Sequence, residues 1–423
     1  MTDSPADSAP CAPFAPLSPW GAMIFCRVID NFGDAGVCWR LAGRLTERGL
    51  RVLLVIDHPE VLAKMVPSLD EADARGCAGT QSAAGVAVMH WERFEALLER
   101  DPQGVLGDAP PRLVMETFGC RLPEAFEQRM DDGRTRLWMN LEYLTAEPYA
   151  GECHRLWGLH PTLGIRKLWF YPGFTPETGG LFFSPADIAR VKALREGNLR
   201  EAVLRAHGAN PLIPALFVFT YPAYPLERLS AALRALSSPV SVLLAPGAAG
   251  EQLAALLSGS VHRTVRLPYL SQADFDDVIW SSDLALIRGE ESFVRAQIGG
   301  VPALWSIYPT EDMAHEVKLE AWMRLSSADW PAADAELFRR AQTLWVNGVT
   351  LPGMESEKAR FQRDAGDTAA FTEAFAALMG SLTRLTDHSR TWQQRLLSHG
   401  DLAGAILAEV PLAPGEAFRT GTV

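Results

Sequence analysis

The sequence has no CxxC pair, no excess of positive charge and no internal repeat. It also lacks an apolar run near the roughly 18 residues that span a bilayer. Each absence removes a class of function. The six cysteines (Cys11, Cys26, Cys38, Cys77, Cys120, Cys153) stand singly. That spacing indicates neither a zinc site nor a disulfide framework, and a reduced, cytoplasmic protein is expected. Residues 2–19 are rich in Pro, Ala and Ser and have no basic start or apolar stretch. They read as a disordered leader rather than a signal peptide. Asp and Glu (51) outnumber Lys and Arg (39), for a net charge of −12. Nucleic-acid affinity rests on phosphate neutralisation, so DNA and RNA are disfavoured as partners. A basic protein partner, steered by complementary fields, is permitted.

What is present is an alternating α/β pattern. At 423 residues, 48% of them hydrophobic, the chain is long enough for two well-buried domains. Strand-like runs at 23–29, 52–56, 86–91, 113–117 and 137–141 alternate with helical stretches such as 59–65 and 91–100. Residues 147–180 are rich in Pro and Gly and read as loop. A second series follows, with strands at 215–220, 240–245, 261–267, 284–287 and 303–307. Its helices are expected at 186–206, 225–236, 250–258, 273–281 and 292–299, and the chain after His315 is helical to about residue 409. Such alternation predicts parallel sheets wrapped by helices. Two doubly wound halves predict two Rossmann-like domains facing a cleft, the plan of GT-B glycosyltransferases. The expected divisions are a leader at 1–20, a first Rossmann-like domain at 21–183, a second at 184–375, and a helical tail at 376–423 that packs back on the first domain.

Two constellations carry chemistry. The first is Asp30-Asn31-Phe32-Gly33-Asp34-Ala35-Gly36, after an apolar run and before a helical pattern at 37–48. The first loop of an α/β fold lies at the ligand crevice. Two carboxylates repel phosphate there but suit a basic or hydroxylic substrate. The structural alternative is that Asp30 and Asp34 are turn or capping residues. The second is Arg288-Gly289-Glu290-Glu291-Ser292-Phe293, where a strand opens into a helix. Backbone N–H groups at a helix start bind anions, and an arginine grips two phosphate oxygens at once. Capping is again the structural alternative. Phe219, Tyr221, Tyr269 and Gln272 lie on preceding strand ends and loops. They form an aromatic face and an amide that suit a nucleobase, or else belong to the core and a loop surface.

Three stretches taken together resemble a known family. They are Phe25–Asp34 with Gly36-Val37-Cys38-Trp39-Arg40-Leu41, Asn140-Leu141-Glu142-Tyr143-Leu144-Thr145-Ala146-Glu147-Pro148, and Arg288–Gln297. With Phe174–Gly180 and Ile307-Tyr308-Pro309, they are similar to the EarP family, bacterial protein-arginine rhamnosyltransferases that modify translation elongation factor P (EF-P). The resemblance implies a GT-B fold, dTDP-β-L-rhamnose as co-substrate, no other cofactor and no metal. It implies transfer to one arginine of EF-P with inversion at the anomeric carbon. It places the essential aspartates at Asp30 and Asp34, and the nucleotide pocket at Phe219, Tyr221, Tyr269 and Gln272. It places diphosphate binding at Arg288, Glu290, Glu291 and Ser292, with Tyr308 near the donor. Tyr269 stands where the family often has phenylalanine, and Glu291 where aspartate is frequent. Catalysis is expected from Asp34 and Asp30, with Glu290 at the sugar or the arginine. The alternatives are a GT-B enzyme with another acceptor, and a non-enzymatic nucleotide-sugar-binding regulator.

Overall fold

The computed structural model describes residues 20–29, 32–66, 68–69, 81–102, 111–130, 135, 137–310, 312–347, 349 and 365–411. The expected leader, apart from Trp20, and the candidate Asp30 lie outside the described residues. The chain divides into two compact units. The first takes the described residues up to Leu141, Leu156–Trp169 and those from Ala408 on. The second takes Glu142–Arg155 and Phe170–Leu407.

The first sheet comprises β1 (Ala22–Cys26), β2 (Val52–Ile56), β3 (Gln81–Ala83), β4 (Val86–His90), β5 (Leu113–Thr117), β6 (Leu137–Leu141), β7 (Trp157–Leu159) and β8 (Arg166–Phe170). Their order is β3-β4-β2-β1-β5-β6-β8-β7. Strands β4, β2, β1, β5 and β6 run parallel, with Ala22 opposite both Val52 and Leu113. Every residue of β1, β2, β5 and β6 is buried. Helices cover both faces of a parallel sheet, which is why these strands read as unbroken apolar runs. Phe25 of β1 packs 5.2 Å from Phe94 and 5.0 Å from Phe126.

The second sheet comprises β9 (Ala215–Phe219), β10 (Ser241–Leu244), β11 (Arg263–Arg266), β12 (Leu284–Arg288) and β13 (Ala303–Ser306). All run parallel in the order β11-β10-β9-β12-β13. In each sheet the chain builds outward on one side of the first strand and then returns to build on the other. The order therefore reverses between β1 and β5, and between β9 and β12. Ligands of open α/β sheets bind beyond the carboxyl ends of the strands at such reversals.

Three expectations change. The first helix spans Phe32–Glu47, five residues earlier than the apolar period indicates, so Gly33, Asp34 and Gly36 sit in its opening turns. The stretch 186–206 is two helices, Pro185–Glu196 and Leu199–Ala206, separated at Gly197-Asn198. Residues 147–180 are not all loop. They supply the helix Tyr149–Cys153 and the antiparallel pair β7–β8. Trp157 and Leu159 of β7 are exposed, so no buried face shows as a hydrophobic period. The tail helix Leu382–Ser398 belongs to the second unit, where Trp392 Nε1 donates to Gln297 Oε1 at 2.8 Å.

Candidate active site

In the second unit the reversal between β9 and β12 brings Phe219 and Arg288, the last residues of those strands, side by side. The Arg288 guanidinium carbon lies 4.4 Å from the Phe219 ring centre and 4.7 Å from that of Tyr221. Tyr308 meets Tyr221 edge-on at 5.5 Å. The two rings expected beside a nucleobase also hold this guanidinium, whose charge is attracted to the ring faces. Phe275 packs 5.5 Å from Phe219 and ties in the helix Gln272–Ser281, whose first residue is Gln272. Tyr269, just before that helix, is 59% exposed.

Gly289, at φ +69°, turns the chain from β12 into the helix Glu291–Gly299 within two residues. Only a residue without Cβ takes that conformation without strain. Its carbonyl accepts from Trp305 Nε1 at 3.1 Å, and Trp305 stacks on Phe293 at 4.0 Å. Glu290 occupies the capping position but makes no side-chain cap bond. Its Oε2 accepts the Leu144 N–H at 2.8 Å, and its Oε1 is paired with Lys318 Nζ. The Tyr143-Leu144 part of the second motif is therefore a brace for Glu290. Glu291 is buried and Ser292 half-buried in the first helical turn. An uncapped helix start beside a fixed guanidinium presents backbone donors, a hydroxyl and a charge to one anion.

The far half of the third motif is structural. Arg295 is fully buried between Asp187 at 3.0 Å and Asp276 at 2.9 Å, and lies over Trp280 at 4.7 Å. It links its helix to Pro185–Glu196 and Gln272–Ser281 and so sets where the helix start points.

In the first unit Asp34 is 3% exposed, and its Oδ2 accepts the Ile29 N–H at 2.8 Å. The carboxylate thus ties the strand exit to the first helical turn, where the helix dipole favours a negative charge. Thr117 Oγ1 donates to the Phe25 carbonyl at 2.7 Å, and Cys38 Sγ donates to Thr117 Oγ1 at 3.5 Å. Burial pushes the Cys120 thiol up to about 12, and Cys26 is held protonated by its bond to Cys38 and by burial. Across the reversal, Phe118, Gly119 and Arg121 after β5 all have positive φ, at 56°, 65° and 56°. Glu116 holds this turn through the Arg121 N–H at 3.1 Å and pairs with Lys167 at 2.9 Å. Sequence reasoning missed Glu116, Phe275 and Lys318. The first has a signal, a lone carboxylate in the apolar run Leu113-Val114-Met115-Glu116-Thr117. Among the described residues, no group of three His, Cys, Asp or Glu side chains could hold a metal ion. No helix among them is long and apolar enough to cross a membrane.

Two doubly wound units, one with an uncapped helix start and a stacked arginine at its reversal point, have the plan of the GT-B fold class. The profile of the Elongation-Factor P (EF-P) rhamnosyltransferase EarP family matches residues 22–410, and the chain belongs to that family. A protein-arginine rhamnosyltransferase of Pseudomonas aeruginosa is 37% identical over 362 residues, 81% of this chain and 92% of the relative. One of Pseudomonas putida is 35% identical over 407 residues, 91% of this chain and 97% of the relative. A solved structure showing the structural basis for EarP-mediated arginine glycosylation of translation elongation factor EF-P has the same fold. Its TM-score is 0.56 at 24% identity, covering 92% of this chain and 97% of that one.

Proposed function

We propose that the protein transfers L-rhamnose from dTDP-β-L-rhamnose to an arginine side chain of EF-P, with inversion at the anomeric carbon. The observation that carries this is the Arg288 guanidinium, held against Phe219 and Tyr221 at the mouth of the uncapped helix Glu291–Gly299. Such a cradle suits a diphosphate and stabilises the charge that gathers on it as it departs. The base of the donor belongs against the aromatic set, with Tyr269 and Gln272 at its edge. Ser292, Glu291 and Tyr308 complete the donor contacts.

The acceptor side requires a different chemistry. A guanidinium has a pKa above about 12 and delocalised lone pairs, so it is a poor nucleophile. Asp34, at the reversal point of the first sheet, takes the proton from the attacking nitrogen or draws the N–H bond toward itself. Asp30, in the same acidic stretch, aligns the guanidinium. Attack forms the C–N bond as the C–O bond to dTDP breaks, in one displacement through an oxocarbenium-like state. The products are rhamnosyl-arginine and dTDP. The purified protein is incubated with EF-P and dTDP-β-L-rhamnose, and EF-P is weighed intact. A gain of one deoxyhexose, lost when the target arginine is replaced by lysine, is the expected result. No gain on EF-P, with transfer to another acceptor or donor binding alone, would overturn it.

A further inference from the structure

We propose that Lys318 is a positioning residue that keeps the Glu290 carboxylate turned away from the helix Glu291–Gly299, so that this helix start stays open to the donor diphosphate. The inference rests on the donor-site assignment above. A carboxylate at a helix start is drawn toward the N–H groups of the first turn by the helix dipole. A glutamate so placed would occupy the ground the diphosphate needs. Glu290 sits at that position and does not cap. Its two oxygens are held elsewhere, one by the Leu144 N–H at 2.8 Å and the other by Lys318 Nζ.

Lys318 reaches Glu290 from the helix Ala314–Ser326, and the two side chains are only 19% and 20% exposed. Its ammonium is flanked by the rings of Tyr143 at 5.9 Å and Trp305 at 6.0 Å. Trp305 in turn holds the Gly289 carbonyl at 3.1 Å. The cation is thus held between two rings, and it anchors the Glu290 carboxylate there. Without it, Glu290 keeps one bond to Leu144 and is free to swing into the first turn, where it competes with an incoming anion.

The test is calorimetric binding of dTDP to the full chain and four variants: Lys318→Met, Lys318→Arg, Glu290→Gln, and Lys318→Met combined with Glu290→Gln. Lys318→Met is expected to weaken binding about tenfold or more, and Lys318→Arg by less than about threefold. In the Glu290→Gln background the same Lys318→Met change is expected to cost less than about threefold, because the competing charge is gone. Wild-type affinity in Lys318→Met would overturn the proposal. So would an equal loss in both backgrounds, which means that Lys318 acts on the ligand or the fold and not through Glu290. Should Lys318→Met fail to fold, Lys318→Gln carries the same comparison. Failure of the wild-type protein to bind dTDP would instead overturn the donor site itself, and this role with it.

Discussion

Asp34 has one observed role and one proposed role, and substitution separates them. Its carboxylate accepts the Ile29 N–H, which is a local structural task, and in the proposed mechanism it takes the proton of the acceptor nitrogen. Asp34→Asn keeps an oxygen for the Ile29 bond and removes the base. Turnover on EF-P is expected to fall about 10²–10⁴-fold with the melting temperature close to wild type. Asp34→Ala loses the bond as well and is expected to cost a further ~1 kcal/mol of stability, read by denaturant titration. Turnover near wild type in Asp34→Asn would remove Asp34 as the base. The aspartate was legible in sequence because its charge is wrong for a phosphate loop. Lys318 and the Leu144 N–H were not, because they reach Glu290 from 28 and 146 residues away.

Among the elements, the helix Glu291–Gly299 depends most on its surroundings. Arg295 pins its middle to two other helices. At its end, a Cβ on Gly299 would lie 2.2 Å from Trp280 Cδ1, so the close approach to that ring requires glycine. Arg295→Leu removes the cation paired with both Asp187 and Asp276 and takes that partner from a buried and a half-buried carboxylate. The expected cost is about 3–5 kcal/mol. That corresponds to a fall of roughly 10 °C in melting temperature by calorimetry. A change below about 2 °C would show that the triad does not hold the helix. The same motif therefore joins the proposed ligand positions Arg288–Ser292 to scaffold at Arg295 and Gln297, a division no spacing reveals. Most strands and helices were legible from their apolar period. The pair β7–β8 was not, because an exposed hairpin lacks a buried face to imprint a period.

Across the whole molecule, the half-buried His154 and the buried His315 are expected to cost stability in acid. His154 Nδ1 accepts the Tyr171 N–H at 3.1 Å, and burial, then the nearby Arg155 charge, lowers its pKa from 6.5 to about 4. Burial also lowers His315, whose Nδ1 accepts the Thr310 N–H at 3.0 Å. In the unfolded chain His154 takes a proton near pH 6.5, and in the folded one only near pH 4. Its contribution is therefore whole above pH 6.5 and lost progressively as the pH falls toward 4. The melting temperature is expected to drop across that window. In His154→Gln, which keeps an acceptor and cannot titrate, the drop is expected to be shallower; equal slopes would exclude the histidine.

Two α/β series, an acidic turn after the first strand, a basic one before a late helix, and the family itself were all determined by sequence alone. Apolar period, turn residues and motif order are local, and they survive in a one-dimensional reading. Only the tertiary structure decided that Phe219 and Tyr221 clasp Arg288, that Glu290 is held off its own helix, and that Arg295 is scaffold. Strand order makes neighbours of residues far apart in the chain. Packing across the parallel sheet, rather than the residues on either side, chooses that order.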